Sequence, residues 1–216
     1  MILAIDTASH LAGLALYDGD GVAAEHTWTS LAHHTVDLMP NLVTLLSQQG
    51  LTTADLSGLV VGLGPGSFTG LRIGMSVAKG LAFAQGLPLV GVPSLYAVAH
   101  AHREQGLPIW AVIAAGRGRF AGALFRLDQP WPAPQDYKLG RLDEMAPPEH
   151  SPALYAGELK AQDRAVLSAR WGERAALPEP AASFRRVGYL AELGWQRLQW
   201  GEQDDVNGLA PIYPPT

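Results

Sequence analysis

The chain has 216 residues, no cysteine, 48% hydrophobic residues and a formal net charge of −5. This length allows one large domain or two small ones, and the missing cysteines exclude disulfides, cysteine zinc sites and thiol nucleophiles. The negative charge argues against a protein that grips nucleic acid by itself, which would usually carry a basic patch.

The first half of the chain alternates strands and helices. Leu38, Leu42 and Leu45 recur at helical spacing, and the run Asp18–Gly21 has the composition of a hairpin turn. The predicted elements are strands at 2–5, 11–17 and 22–28, a helix at 35–49, a strand at 59–63, a helix at 69–85, a strand at 89–92 and a helix at 93–104. This order predicts an α/β protein whose mixed sheet has parallel members.

After residues 106–108 the pattern restarts in a shorter form. Strands are predicted at 109–115 and 119–126, an irregular stretch at 130–152, short strands at 153–155 and 165–167, and a helix at 186–200. We therefore expect two domains, 1–106 and 107–216, the second a degenerate echo of the first. Whether the last helix packs back on the first domain stays open.

Residues 62–74 read GLGPGSFTGLRIG and join a predicted strand to a predicted helix. Backbone amides at a helix N-terminus attract anions, so Gly64, Gly66 and Ser67 are candidates for a phosphate cradle. The spacing matches neither the P-loop nor the dinucleotide-binding fingerprint. A plain turn that requires positive φ explains the same glycines.

A second pattern runs from this loop into the helix. Small residues recur every four positions at Gly70, Gly74, Ala78 and Ala82, which places them along one ridge of a helix. Glycine inside a helix costs about 1 kcal/mol relative to alanine, so the ridge needs a packing reason. Close helix packing is favoured over phosphate binding, but the pattern does not separate packing within the chain from packing against a partner.

Other candidate chemistry is weaker. Asp6 and Thr7 follow the first strand, where they could meet Mg²⁺-phosphate, although their spacing favours a turn or strand cap. No two of the histidines stand four apart, so the H-x-x-x-H zinc pattern is missing. Ser67 lies in GPGSF, which is not the G-x-S-x-G motif of a nucleophilic serine.

Four segments resemble the TsaB (YeaZ) family: ILAIDTAS at residues 2–9, HTVDLMP at 34–40, GPGSFTGLRIG at 64–74 and PIY at 211–213. The third segment is highly specific, whereas the first is shared with many actin-like ATPases. The match is looser beyond residue 108. The resemblance implies an actin/Hsp70/sugar-kinase-like (ASKHA) fold with two RNase H-like halves, the second reduced.

The resemblance also implies a role in making threonylcarbamoyladenosine at position 37 of tRNA. It implies a non-catalytic subunit that binds the catalytic paralogue TsaD (Gcp) and a TsaE-like ATPase, pairs with itself when alone and reaches tRNA only indirectly. No cofactor or metal is expected, with residual ATP or ADP-Mg binding left open. Without a signal peptide or membrane-length apolar run, the sequence predicts a cytoplasmic protein.

Site residues follow from the same resemblance. The expected partner or dimer interface comprises Gly70, Leu71, Gly74, Met75, Ala78, His34 and Leu38. The expected vestigial nucleotide site comprises Asp6, Thr7, Gly64, Gly66 and Ser67. No catalytic residue is expected.

Two departures from the family pattern stand out. Ala114–Arg117 lacks the acid that the family shows where the second half opens, and the tail lacks an arginine after PIY. Two rival functions remain: an actin-like ATPase or phosphotransferase that uses Asp6, Thr7 and the loop Gly64–Ser67, and a glycoprotease-type peptidase.

Overall fold

The computed structural model describes residues 1–30 and 34–214, with only the backbone at 34 and 35. Its elements are β1 (Ile2–Asp6), β2 (Leu11–Tyr17), β3 (Val22–Thr29), α1 (His34–Gln48), β4 (Gly58–Gly62), α2 (Phe68–Gln85), β5 (Leu89–Val92), α3 (Ser94–His100), β6 (Ile109–Ala114), β7 (Phe120–Phe125), β8 (Lys138–Gly140), β9 (Ala153–Gly157), α4 (Ala161–Trp171), β10 (Ala175–Ala176), α5 (Pro180–Ser183) and α6 (Val187–Gln199). No helix within these described residues is long and apolar enough to cross a bilayer.

The strands form two five-stranded sheets with the same topology. The first has the order β3-β2-β1-β4-β5 and the second, read in the same sense, β8-β7-β6-β9-β10. In each sheet the first three strands in chain order pair antiparallel. The fourth strand pairs in parallel with the first, and the fifth pairs in parallel with the fourth. This repeated arrangement confirms the predicted α/β fold of two RNase H-like halves, since parallel strands need the crossover connections that the sequence shows.

The second sheet is the reduced one, and it differs from the sequence prediction in three places. β8 lies inside 130–152, which was expected to be irregular, residues 165–167 belong to α4 rather than to a strand, and β10 was not predicted. In α4 only Leu167 is buried, so its apolar signal is too short to reveal helical spacing. Between β8 and β9 a single 3-10 turn, Leu142–Glu144, stands where the first half has α1.

The chain divides into two units at places that differ from the expected boundary at residue 106. The first unit comprises Met1–Ser94 and Arg186–Ile212, and the second comprises Leu95–Arg185 with the residues from Tyr213 onward. α3 belongs to the second unit because the ring of Tyr96 packs edge-on against Phe125 and Trp131, at 5.7 and 4.7 Å between centroids.

The last helix, α6, belongs to the first unit, which answers the question that the sequence left open. Its Gly194 lies so close to Val60 of β4 that any side chain there would overlap the valine. Glu25 of β3 holds the start of the helix: one carboxylate oxygen accepts the backbone N–H of Gly188 at 3.1 Å and the other accepts from Arg186 at 2.6 Å. The carboxylate thereby caps a helix whose own N-cap side chain does not.

The segment after α6 protects the edge strand β5. Asp204 accepts the N–H of Gly91 at 2.7 Å, and Arg197 donates to the Gly91 carbonyl at 2.8 Å and to Asp204 at 3.1 Å. Burial of Arg197 opposes its charged form, yet Asp204 and Glu202 raise its pKa above the ordinary value. The arrangement satisfies backbone groups that an edge strand would otherwise leave open for another chain.

We expect Asp204→Ala to lower the free energy of unfolding by about 2–3 kcal/mol. The buried Gly91 N–H loses its acceptor, and Arg197 loses one of its two carboxylate partners. Asp205→Ala is the matched control. Asp205 only accepts turn N–H groups from Asn207 and Gly208, and it should cost less than about 1 kcal/mol. Urea unfolding measures both, and equal losses in the two variants would contradict the prediction.

Candidate functional site

The last residue of β1, Asp6, and the next residue, Thr7, are buried and hydrogen-bonded within the chain. Asp6 is 1% exposed, and one of its oxygens accepts the N–H of Ala8 at 2.9 Å. A Cβ at Gly62 would lie 2.6 Å from the Asp6 carboxyl carbon, so the end of β4 packs directly on this side chain. The Thr7 hydroxyl donates to the Gly70 carbonyl at 2.7 Å. Both residues therefore join β1 to neighbouring elements of the first unit.

The glycine-rich loop is closed over the same residues. Gly66 lies so close to the Ala8 carbonyl that a Cβ would overlap it, and Ser67 N–H donates to that carbonyl at 2.5 Å. Gly64 takes φ +90°, and its N–H donates to the Ser94 hydroxyl at 3.2 Å.

Ser67 is the N-cap of α2, since its hydroxyl accepts the N–H of Gly70 at 3.2 Å. The amides of Gly64, Ser67 and Gly70 are thus already bonded inside the chain. A phosphate would have to displace the Ala8 carbonyl and the Ser67 hydroxyl to reach them. The structure places the five residues of the expected vestigial site, Asp6, Thr7, Gly64, Gly66 and Ser67, at one packed turn of the first unit.

The small-residue ridge of α2 faces the interior of its own unit. Gly70, Leu71, Gly74, Met75 and Ala78 are all buried. A Cβ at Gly74 would overlap the Thr7 hydroxyl and lie 3.6 Å from Ile5 on β1. This differs from the expectation that these five residues face a partner, because the close approach of α2 to β1 and Thr7 is what requires glycine.

The opposite face of α2 is the one that reaches solvent. Arg72, Ser76 and Gly80 are exposed, and Ile73 and Val77 are half-buried. The Arg72 guanidinium stacks on the Phe68 ring at 3.7 Å from its centroid. α2 therefore offers an outer face of mixed small and apolar residues.

Helix α1 adds a second wall. Together the helices border a groove of about 580 Å³ lined by Leu38, Met39, Phe68, Thr69, Arg72, Ile73, Ser76 and Val77. Leu38 is 1% exposed and forms its floor, while Met39, Val43 and Phe68 are 42%, 59% and 54% exposed. We name this surface the α1–α2 groove. Of the expected interface, Leu38 lies here, and the side chain of His34 lies outside the described residues.

Sequence reasoning missed the exposed groove residues Met39 and Phe68. Met39 follows Val36 and precedes Val43 at helical spacing, so a helical projection of α1 would have found a second apolar stripe beside the Leu38–Leu42–Leu45 stripe. Phe68 gave no signal, since a single aromatic residue at a helix start is common.

Comparisons with known proteins agree with this geometry. The family model described as "TsaD: tRNA N6-adenosine threonylcarbamoyltransferase" matches residues 21–151. The curated tRNA threonylcarbamoyladenosine biosynthesis protein TsaB of Bacillus subtilis is 33% identical over 98% of this chain and 93% of its own length. The Escherichia coli protein of the same name is 38% identical over 59% of this chain and 56% of its own length.

Solved structures give the same result. YeaZ from Pseudomonas aeruginosa superposes with a TM-score of 0.76 at 26% identity and covers 98% of both chains. A dehydratase activator from Clostridium difficile shares the fold alone, with a TM-score of 0.55 at 9% identity over 94% of this chain and 98% of its own. The 33% identity over nearly the whole chain, together with the shared fold, shows that this chain belongs to the TsaB (YeaZ) family.

Proposed function

We propose that this chain is a non-catalytic scaffold subunit in the synthesis of threonylcarbamoyladenosine at position 37 of tRNA. It holds a TsaD-like catalytic subunit through the α1–α2 groove. The observation that carries the proposal is this exposed apolar groove in a chain whose glycine loop is closed by its own backbone. The family matches supply the pathway.

The buried end of β1, at Asp6 and Thr7, supports a non-catalytic role. An actin-like ATPase needs an open phosphate cradle beside its acidic residue, whereas here Asp6 packs on Gly62 and Thr7 is bonded to Gly70. Among the described residues, no three His, Asp or Glu side chains are grouped as a metal site would need. Neither the ATPase nor the peptidase reading has a specific observation in its favour.

The groove is suited to a helical partner. Ser76 and Gly80 carry little side chain on the outer ridge of α2, so a second helix can approach closely there. Met39 and Phe68, which line the groove with Ser76, add exposed apolar surface beside that ridge. In the absence of the catalytic subunit the same surface pairs with a second copy, because an isologous contact covers both apolar faces at once.

The remaining partners follow from charge and pathway. With a net charge of −5, the chain leaves tRNA contact to other subunits. A TsaE-like ATPase joins the assembly and supplies the ATP hydrolysis that this chain's closed loop does not.

Ser76→Trp tests the proposal, because Ser76 is exposed and lines the groove, so an indole there fills the partner's place without entering the core. Ser168→Trp is the matched control on the exposed face of α4 in the second unit. We expect Ser76→Trp to weaken association with the catalytic subunit at least 100-fold, as loss of a central interface contact does. Sedimentation measures association.

A reconstitution completes the test. The catalytic homologue, the ATPase subunit, ATP, threonylcarbamoyl-adenylate and tRNA are combined with no added chain, wild type, Ser76→Trp or Ser168→Trp, and modified adenosine is counted by mass spectrometry. The proposal is supported if modification requires this chain, proceeds with wild type and with Ser168→Trp, and fails with Ser76→Trp. Equal modification without the chain would overturn the scaffold role, and full activity of Ser76→Trp would overturn the location.

A further inference from the structure

The second unit contains a pocket that the proposed function does not use. It has a volume of about 470 Å³, and its lining includes Trp110, Leu124, Arg126, Lys138 and four prolines, at 130, 132, 147 and 148. We name it the proline pocket. We propose that it binds an organic phosphate with a flat ring body, of the size of a nucleoside monophosphate.

The pocket exists because the second half of the fold is reduced. Trp110 of β6 stands opposite Leu124 of β7 on one face of the sheet, and Arg126 follows Leu124 by two positions on that face. In the first half a helix connects the third and fourth strands, whereas here the connection is a 3-10 turn and a proline-rich stretch. The sheet face beside Trp110 is therefore left with a recess at the edge.

The walls of the recess are held in place before any ligand arrives. The Tyr96 hydroxyl donates to the Pro132 carbonyl at 3.1 Å, Trp110 Nε1–H donates to the Ala146 carbonyl at 2.9 Å, and Arg174 donates to the Pro148 carbonyl at 2.7 Å. Proline fixes its own φ as well. A rigid wall lowers the entropy that a ligand must spend on ordering its site.

The electrostatics of the pocket favour an anion. Arg126 is half-buried, and no described residue forms an ion pair with its guanidinium or with the Lys138 ammonium. Lys138 lies over the Trp110 ring, 5.5 Å from its centroid. Asp136 is the acid of the lining, and its carboxylate already accepts the N–H of Ala133 at 2.9 Å. Two cations thus face the recess in a chain that is acidic overall.

The body of the ligand follows from the walls and the volume. Four prolines and Leu124 supply the apolar part of the lining, against which a planar ring can pack. A volume of about 470 Å³ lies within the range of small-molecule sites and exceeds what a bare phosphate fills. Guanidinium and ammonium groups at the mouth are the usual ligands of a phosphate.

The test uses calorimetry with AMP, adenosine and inorganic phosphate on the full chain. We expect AMP to bind at one site and adenosine and phosphate to bind at least tenfold more weakly. The double variant Arg126→Gln/Lys138→Gln should bind AMP at least tenfold more weakly than wild type. Arg119→Gln, an exposed arginine at the other end of β7, is the control and should leave AMP binding unchanged. A shift of the Trp110 indole N–H resonance on AMP addition locates the site.

Three results would overturn the inference. The first is that AMP at millimolar concentration produces no saturable heat. The second is that the double variant binds AMP as tightly as wild type does. The third is that inorganic phosphate binds as tightly as AMP. Ala146→Trp is an independent check, because Ala146 lines the pocket from an exposed position and an indole there should block AMP while the chain stays folded. Unchanged AMP binding in this variant would also count against the site.

Discussion

Replacing Gly74 by alanine is expected to destabilise the first unit by about 2–3 kcal/mol, whereas the same change at Gly80 is expected to stabilise it by about 0.5–1 kcal/mol. Both glycines lie on α2, six positions apart. A Cβ at Gly74 would overlap the Thr7 hydroxyl, but a Cβ at Gly80 would meet no atom of the chain within 4 Å. The helix propensity of alanine is gained at both sites, and only the first site has an overlap to offset it.

A second substitution shows whether the overlap is the cause. Without the Thr7 hydroxyl, the next atoms to a Cβ at Gly74 are the Thr7 Cβ at 3.5 Å and Ile5 at 3.6 Å, which are ordinary contacts. In a Thr7→Ala background, Gly74→Ala should therefore cost little or nothing. Urea unfolding of the four proteins of this double-mutant cycle measures the coupling. An equal cost in both backgrounds would contradict the explanation.

The same geometry decides which substitution probes an interface. A bulky residue at Gly74 damages the fold and therefore cannot report on partner binding alone. Gly80 and Ser76 are two positions of α2 where a larger side chain leaves the isolated chain intact, because both are exposed. Loss of association in a variant at Gly74 would say nothing about the partner surface.

Breaking the buried ion pair between Arg185 and Glu158 is expected to have the largest effect on the second unit. The side chains are 1% and 3% exposed and lie 3.2 Å apart. Next to them the Ser183 hydroxyl donates to the Gly157 carbonyl at 3.1 Å, which ties α5 to the end of β9. Removing one partner leaves the other charge buried, so Arg185→Met and Glu158→Leu should each cost about 3–5 kcal/mol.

The double variant Arg185→Met/Glu158→Leu is the informative comparison. With both charges gone and similar volumes kept, it should lose clearly less than the sum of the single variants. Thermal unfolding at pH 7 of wild type, the two single variants and the double variant measures this coupling. Additive losses would mean that the two charges act independently.

The sequence by itself determined the α/β element order of the first half and the identity of the family. Strand and helix periods are local properties, so the elements over 2–104 were predicted to within a few residues. The motif at residues 64–74 is also local, and it pointed to the family that the full-length comparison then showed.

Local patterns were too weak in the second half. β8 has three residues and β10 has two, and strands of that length exist only because a neighbour offers hydrogen bonds. Asp204 accepts hydrogen bonds from Gly91, 113 positions away, and from Arg197, seven positions away. Such pairings depend on the path of the chain and leave no mark in composition.

Only the tertiary structure decided which face of α2 is inside. The sequence showed a ridge of small residues, which could have packed within the chain or against a partner. The position of Thr7 after β1 settles it, since its hydroxyl bonds Gly70 and leaves room for nothing larger than glycine at position 74. A helical period gives the angle between two faces, but the direction of each face is set by the element against which the helix packs.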